Sequence, residues 1–307
     1  MSFASDVKEE LARVAPECSH CGRAVLAALV RVEGTLLLRG PGRYGLEIST
    51  DIAAVARCVI TLSHELYGLE TNLVIRRSVL HKTPNYLIRF ADQENLAEAL
   101  RDMGVFGEEG LMRGLAPQLV SKRCCASAYL RGAFMGSGFI ANPRGDFHFE
   151  ITLESRELAE DLVALMDGAG IHARIMQRRS SYMVYLKSGE AILEFLAYVH
   201  ANQAALDMEN ARVVKSVRND VNRMTNAEMA NATKAANASV DQIYAMRRVL
   251  ETHGPEKLPP ALREIIQLRV KYPDATLKEL GERADPPLSK SAVYHRVRRI
   301  EALARKS

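Results

Sequence analysis

The 307-residue chain has no apolar run approaching the roughly 18 consecutive residues of a membrane-spanning helix, which excludes a helical membrane protein. Its opening, MSFASDVKEELARV, carries acidic residues and no apolar stretch of signal length, so a cytoplasmic location is expected. An even set of cysteines is also missing. Five thiols without an export signal argue for reduced side chains rather than a disulfide framework. A zinc site needs a second pair of spaced ligands. Cys18-Ser-His-Cys21 has the spacing, but Cys124 and Cys125 are adjacent, so free thiols, no metal and no cofactor are expected. Strong net charge is lacking too, at +4 overall, yet its distribution is uneven. From Glu256 to Ser307 there are twelve Lys and Arg against seven Asp and Glu, a net of +5, which leaves −1 for everything before. A small basic domain beside a nearly neutral larger one points to nucleic acid as the partner.

What the chain does contain is a duplication. Laying Gly34 over Gly138 sets an offset of 104, and Leu26, Ala28, Leu29 and Val30 then lie over Leu130, Gly132, Ala133 and Phe134. Small residues recur where two helices can touch, and a glycine closes both. The match continues past the helices. Leu46-Glu47-Ile48 echoes Phe149-Glu150-Ile151, and Arg76-Arg77 echoes Arg178-Arg179. Each copy reads helix, strand pair, helix, strand pair, helix, over about residues 5–105 and 120–205. The periodicity predicts helices over Ala24–Leu38 and residues 127–140, with strands near Tyr44–Ser49, Asn72–Leu80 and Tyr86–Phe90 in the first copy. A turn is expected over His81–Asn85. One copy is too small to bury both faces of its sheet, whereas two packed about a pseudo-twofold axis suffice. Residues 5–14 read as an amphipathic lead-in helix capped by Ser5.

Beyond this first domain, residues 1–205, the character changes. Residues 206–238 form a linker in which Arg and Lys alternate with Asn; Asn222, Arg223, Asn231 and Lys234 suit contacts to phosphates and base edges. Residues 239–307 read as a helix-turn-helix domain. A helix with Val240, Ile243, Tyr244 and Leu250 on one face comes first. Leu262, Ile265, Ile266 and Val270 line the next, Thr276 and Glu279 make a capping box, and Ser289 caps a last helix with Val293, Val297 and Ile300 inward. Lys290, Ser291, Tyr294, His295 and Arg298 then face outward, flanked by Arg296 and Arg299. Such a helix offers its N-terminal half to base edges while Lys and Arg further along meet phosphate. The arrangement resembles the sigma-factor region that binds the −35 promoter element.

The doubled helix resembles the LAGLIDADG signature of homing endonucleases, in which paired acids on the pseudo-twofold axis hold divalent metals. Here the first copy ends Val32-Glu33-Gly34 and keeps its acid; the second ends Gly136-Ser137-Gly138 and does not. Over nearly its whole length the chain resembles the WhiA family, which joins a degenerate LAGLIDADG domain to a sigma-region-4-like helix-turn-helix. SFASDVKEEL at 2–11, CCASAYLRGAFMGSGFIANP at 124–143, NRMTNAEMANATKAANAS at 222–239 and LKELGERADPPLSKSAVYHRVRRIEALA at 277–304 carry the likeness. The segment around Cys18 and Cys21 is the main departure from the pattern. The resemblance implies an α+β duplicated αββαββα domain joined to an all-α DNA-binding domain. It also implies a nucleoid-associated regulator of transcription in cell division and sporulation, acting on double-stranded DNA. For actinobacterial members it implies a WhiB-type iron-sulfur protein and RNA polymerase holoenzyme as further partners.

The competing reading is a metal-dependent endonuclease. A serine hydroxyl is a weak neutral ligand where a hard divalent cation wants a carboxylate, so Glu33 and Ser137 together make no two-metal site and no catalytic residue is expected. Glu47 and Glu150 are the acids on the following strands that would have to compensate. Arg76, Arg77, Arg178 and Arg179 are expected to meet DNA phosphate even without cleavage.

Overall fold

A computed structural model of the chain describes residues 2–40, 42–77, 84–107 and 110–306, in two compact units that divide between Lys215 and Ser216. The first unit opens with α1 (Phe3–Leu11), whose N-cap is Ser2 rather than Ser5: the Ser2 hydroxyl accepts the Ser5 amide at 3.2 Å. The first repeat follows as α2 (Ser19–Glu33), β1 (Gly34–Gly40), β2 (Arg43–Thr50), α3 (Ala53–Tyr67), β3 (Asn72–Arg77), β4 (Pro84–Phe90) and α4 (Leu96–Asp102). A short hairpin, β5 (Phe106–Gly107) with β6 (Gly110–Leu111), leads to the second repeat. That repeat is α5 (Arg123–Ser137), β7 (Gly138–Ile140), β8 (Phe149–Leu153), α6 (Arg156–Asp167), β9 (Arg174–Arg178), β10 (Ser181–Leu186) and α7 (Gly189–Tyr198).

Each repeat builds one antiparallel four-stranded sheet, in the orders β1-β2-β4-β3 and β7-β8-β10-β9. The registers correspond as well: Gly34 sits opposite Ile48, and Gly138 opposite Ile151. Both central helices stop earlier than their apolar periodicity suggests. Residues 34–38 and 138–140 continue the apolar pattern, but they leave the helix to become the first strand of each sheet. No loop separates helix from strand. A Cβ at position 34 would lie 2.2 Å from the Val30 carbonyl oxygen, and one at 138 would lie 2.5 Å from that of Phe134. Only glycine fits so abrupt a turn.

The helices α2 and α5 pack side by side in the same direction. Gly132 sits against Val25 and Ala28, Gly136 against Val32 and Glu33; a Cβ on Gly132 would be 2.4 Å from the Val25 carbonyl. Small residues thus let the two backbones meet. Around this pair lies one apolar core including Leu26, Leu29, Ile48, Ile88 and Leu130. In the second repeat Phe134 stacks on Phe149 at 5.3 Å between ring centroids, and Phe149 meets Phe195 at 4.5 Å. Each such side chain, fully buried, stabilises the fold by about 1.5–3 kcal/mol. The strand expected to reach Leu80 is described to Arg77, and residues 81–83 of the expected turn also lie outside the described residues.

A single helix, α8 (Asn202–His253), spans both the Asn-rich segment and the helix expected after it. Glu10 of α1 caps its start, its carboxylate accepting the amides of Gln203 and Ala204 at 2.7 and 3.0 Å. In the second unit α8 is followed by α9 (Pro260–Lys271), α10 (Leu277–Glu282) and α11 (Lys290–Lys306). The core joins Met246 and Val249 to Leu262, Ile265, Ile266, Leu280, Val293, Val297 and Ile300. Two faces differ from the expectation. On α8, Val240 and Tyr244 are exposed, while Ser239, Gln242, Met246 and Val249 turn inward. On α9, Val270 is exposed and Arg269 is buried, because its guanidinium donates to the carbonyls of Pro273 and Ala275 that close the helix.

Candidate nucleic-acid interface

Helix α11 is held by contacts on one side only. Its N-terminus is capped by the Ser289 hydroxyl, which accepts the Ala292 amide at 3.2 Å. The capping box before α10 is complete: the Glu279 amide donates to the Thr276 hydroxyl at 3.3 Å, and the Thr276 amide donates to the Glu279 carboxylate at 2.7 Å. Val293, Val297 and Ile300 are buried, so Lys290, Ser291, Tyr294, His295, Arg298 and Arg299 all face solvent, as their spacing predicts. Arg296 does not join them. Its guanidinium turns to Glu264 at 3.1 Å and ties α11 to α9. The Arg298 guanidinium lies 5.8 Å from the Tyr294 ring centre and contacts Glu301 at 3.4 Å, and the Tyr294 ring in turn meets that of His295 edge-on. An exposed pair of that kind is worth little and yields readily to phosphate.

The Asn-rich part of α8 is exposed at every position from Ser216 to Ala238, which includes Asn222, Arg223, Asn231 and Lys234. Arg223 pairs with Asp220 one turn earlier. Arg76 and Arg77 end β3, and Arg178 ends β9, each an outermost strand of its sheet, and all four side chains including Arg179 are in solvent. Arg179 occupies the turn between β9 and β10 at φ +56°. These pairs belong to the first unit and the α11 face to the second.

The degenerate end of the helix pair is occupied by groups the sequence did not single out. Lys8 of α1, expected to be only part of a lead-in helix, sends its ammonium to the Gly136 carbonyl at 2.6 Å, and with Glu33 it lines a pocket of about 320 Å³ that Ser49, Asp51 and Asn85 also border. Burial raises the Glu33 pKa; the Lys8 charge opposes this, while Asp51 and Glu154 add to it. Burial likewise lowers the Lys8 pKa, against the charges of Glu33 and Asp51. The acids bearing on Glu33 are therefore Asp51 and Glu154, not Glu47 and Glu150. Glu47 pairs with Arg89 at 2.8 Å, and Glu150 with His148 at 2.8 Å. The Ser137 hydroxyl is committed to the Thr152 carbonyl. A tethered ammonium thus stands beside the one acid at this end of the helix pair.

At the opposite end of the same helices the separation of the cysteines in sequence proves irrelevant. Cys18, His20, Cys21 and Cys124 have their ligand atoms all within 4.8 Å of one another, the one such group among the described residues. The spacing argument considered sequence neighbours, and parallel packing supplies the missing partner from the other repeat. Burial opposes ionisation of the Cys18 thiol, but hydrogen bonds from Cys21 and Cys124 and the Lys122 charge prevail and lower its pKa. Burial raises that of Cys21. The duplication held the signal: its offset of 104 places Cys125 over Cys21.

Comparison with known proteins covers most of the chain. Family models match for the WhiA N-terminal LAGLIDADG-like domain over residues 19–106, the WhiA LAGLIDADG-like domain over 126–218 and the WhiA C-terminal HTH domain over 221–304. The probable cell division protein WhiA of Desulforamulus reducens is 43% identical, across 100% of this chain and 96% of its own length. That of Desulfitobacterium hafniense strain Y51 is 42% identical over 100% and 96%. Full-length DUF199/WhiA from Thermotoga maritima, a crystal structure, superposes with a TM-score of 0.61 at 25% identity, covering 100% of this chain and 99% of the other.

Proposed function

This chain belongs to the WhiA family, and from that premise we propose that it is a sequence-specific DNA-binding regulator of transcription in cell division, and in sporulation where the organism sporulates. The observation that carries this reading is the α11 face: six polar and basic side chains directed to solvent by three buried ones, behind a capped N-terminus. Lys290, Ser291 and Tyr294 lie nearest that N-terminus and read base edges; Arg298 and Arg299 meet backbone. Asn222, Arg223, Asn231 and Lys234 on α8, and the Arg76-Arg77 and Arg178-Arg179 pairs, add contacts to double-stranded DNA. The protein works in the cytoplasm on the nucleoid. A WhiB-type iron-sulfur protein and RNA polymerase holoenzyme are its proposed partners at promoters, to be sought by co-purification.

It acts without cleaving DNA. Lys8 neutralises the site beside Glu33, and Ser137 offers no carboxylate, so the charge needed for two-metal hydrolysis is missing. The test measures Lys290→Ala, Tyr294→Ala and Arg298→Ala against a specific site, found by crosslinking across the genome, and against random DNA. Loss of a base contact costs about 1–3 kcal/mol at one position, whereas loss of a phosphate contact weakens all sequences alike. Lys290→Ala and Tyr294→Ala should lower specific affinity far more than random, and Arg298→Ala should lower both. Equal loss for all three would place specificity outside α11.

A further inference from the structure

DNA binding leaves the thiols unused. Cys18 immediately precedes α2, Cys21 lies in its first turn, and Cys124 lies in the first turn of α5. Because the two helices run parallel, both N-terminal ends arrive at one place and bring these side chains with them. Cys18 Sγ is 2.9 Å from Cys21 Sγ and 2.6 Å from His20 Nδ1. Cys125 Sγ stands behind them, 3.2 Å from the same His20 nitrogen.

We propose that Cys18, His20, Cys21 and Cys124 bind a structural zinc ion that clips the two repeats together at the N-terminal ends of their central helices. Zinc takes sulfur at about 2.3 Å and imidazole nitrogen at about 2.0–2.1 Å in a tetrahedron, which sets neighbouring ligand atoms about 3.5–3.8 Å apart. The four ligand atoms already lie within 4.8 Å of one another, so side-chain shifts of about 1 Å admit the ion. Three sulfurs and one imidazole are soft donors that select zinc over magnesium or calcium. All four positions come from the protein, which leaves none for a substrate and makes the site structural.

The surroundings favour the charge that results. Binding sends the thiol protons of Cys18, Cys21 and Cys124 to solvent, and three thiolates around a divalent ion leave one net negative charge. The N-termini of α2 and α5 both present positive dipole ends to it. Lys122 adds a full charge, its ammonium 3.1 Å from His20 Nε2.

The test uses the reduced, metal-stripped full chain titrated with Co²⁺ and then Zn²⁺. One equivalent of Co²⁺ should give tetrahedral d–d bands and thiolate charge-transfer absorption, both abolished by Zn²⁺, and proton release should accompany binding. Cys18→Ser and Cys124→Ser should lose the spectrum, while Cys58→Ser, a thiol outside the cluster, should keep it. Should the serine variants fail to fold, alkylation of the unaltered chain decides instead: Zn²⁺ should protect Cys18, Cys21 and Cys124 and leave Cys58 unchanged. The proposal falls if Co²⁺ stays octahedral, if protection by Zn²⁺ is absent, or if the reduced chain takes up no ion and air converts Cys18 and Cys21 to a disulfide.

Discussion

At the C-terminal ends of α2 and α5 an acid and a backbone carbonyl, Glu33 and that of Gly136, sit beside a lysine from α1, whereas at their N-terminal ends thiols and an imidazole gather beside Lys122. The same two helices, packed through the same small residues, thus carry opposite chemistry. Helix dipoles suit part of this arrangement, though Glu33, an acid at the C-terminal end of α2, runs against them. Carbonyls at a C-terminus attract cations, and Lys8 binds one of them directly, the Gly136 carbonyl. Amides at an N-terminus attract anions; there the Cys18 pKa is lowered, against burial, by hydrogen bonds from Cys21 and Cys124 and by the Lys122 charge. One end holds a tethered cation, Lys8, and the other gathers thiols and an imidazole.

The most damaging way to break both ends together is at their shared contact. Gly132→Val would drive a branched side chain into the Val25 carbonyl and the Ala28 methyl, where even a Cβ comes within 2.4 and 2.8 Å. Overpacking against backbone should cost about 3 kcal/mol. Urea unfolding of the variant measures the loss, and an unchanged midpoint would show that the helices separate without penalty.

A smaller effect isolates the C-terminal end. Lys8→Met removes the cation that lowers the Glu33 pKa and leaves a largely buried carboxylate unpartnered, at about 1–2 kcal/mol near neutral pH. The sign with pH follows from the raised pKa. A carboxyl of this kind favours the folded state where it is protonated, and that stability is lost as pH rises through the folded value. The defect of Lys8→Met should therefore shrink on acidification, and Glu33→Gln added to it should recover most of the loss at neutral pH. Thermal melts across the pH range read both effects; a defect independent of pH would mean that Lys8 acts only through the Gly136 carbonyl.

The smallest expected effect is none at all. Ser137→Glu restores a second acid, yet with Lys8 in place plasmid carrying the binding site should stay uncut in Mg²⁺ or Mn²⁺. Linearisation abolished by Glu33→Gln would instead show that the missing acid alone silenced this end.

Much of this was legible in the residues. Duplication at one offset announced both sheets, and the spacing of Val293, Val297 and Ile300 placed the outward face of α11 where it is. Helix ends were harder to read. Leu36 to Leu38 suit a helix by periodicity, but they gain strand partners in residues 44–46, a choice that a local pattern cannot register. The inward face of α8 is not the one its apolar spacing marks, because Val240 and Tyr244 are more apolar than the Ser239 and Gln242 that are buried; the Ser239 hydroxyl reaches the Pro273 carbonyl. Lys8 carried no signal beyond its place in an amphipathic helix.

What the sequence determined by itself is therefore whatever repeats or alternates along the chain: the two-copy domain, the capped helices of the second unit, the exposed basic face of α11 and the serine at 137 where the other copy has Glu33. Tertiary structure alone decided which distant groups share a space. Lys8 meets Glu33 and Gly136, and Cys18, His20 and Cys21 meet Cys124, because close-packed helices running in one direction bring like ends of two repeats together. Spacing along a chain records neighbours within one element; it holds no distance between elements until their small residues have let the backbones touch.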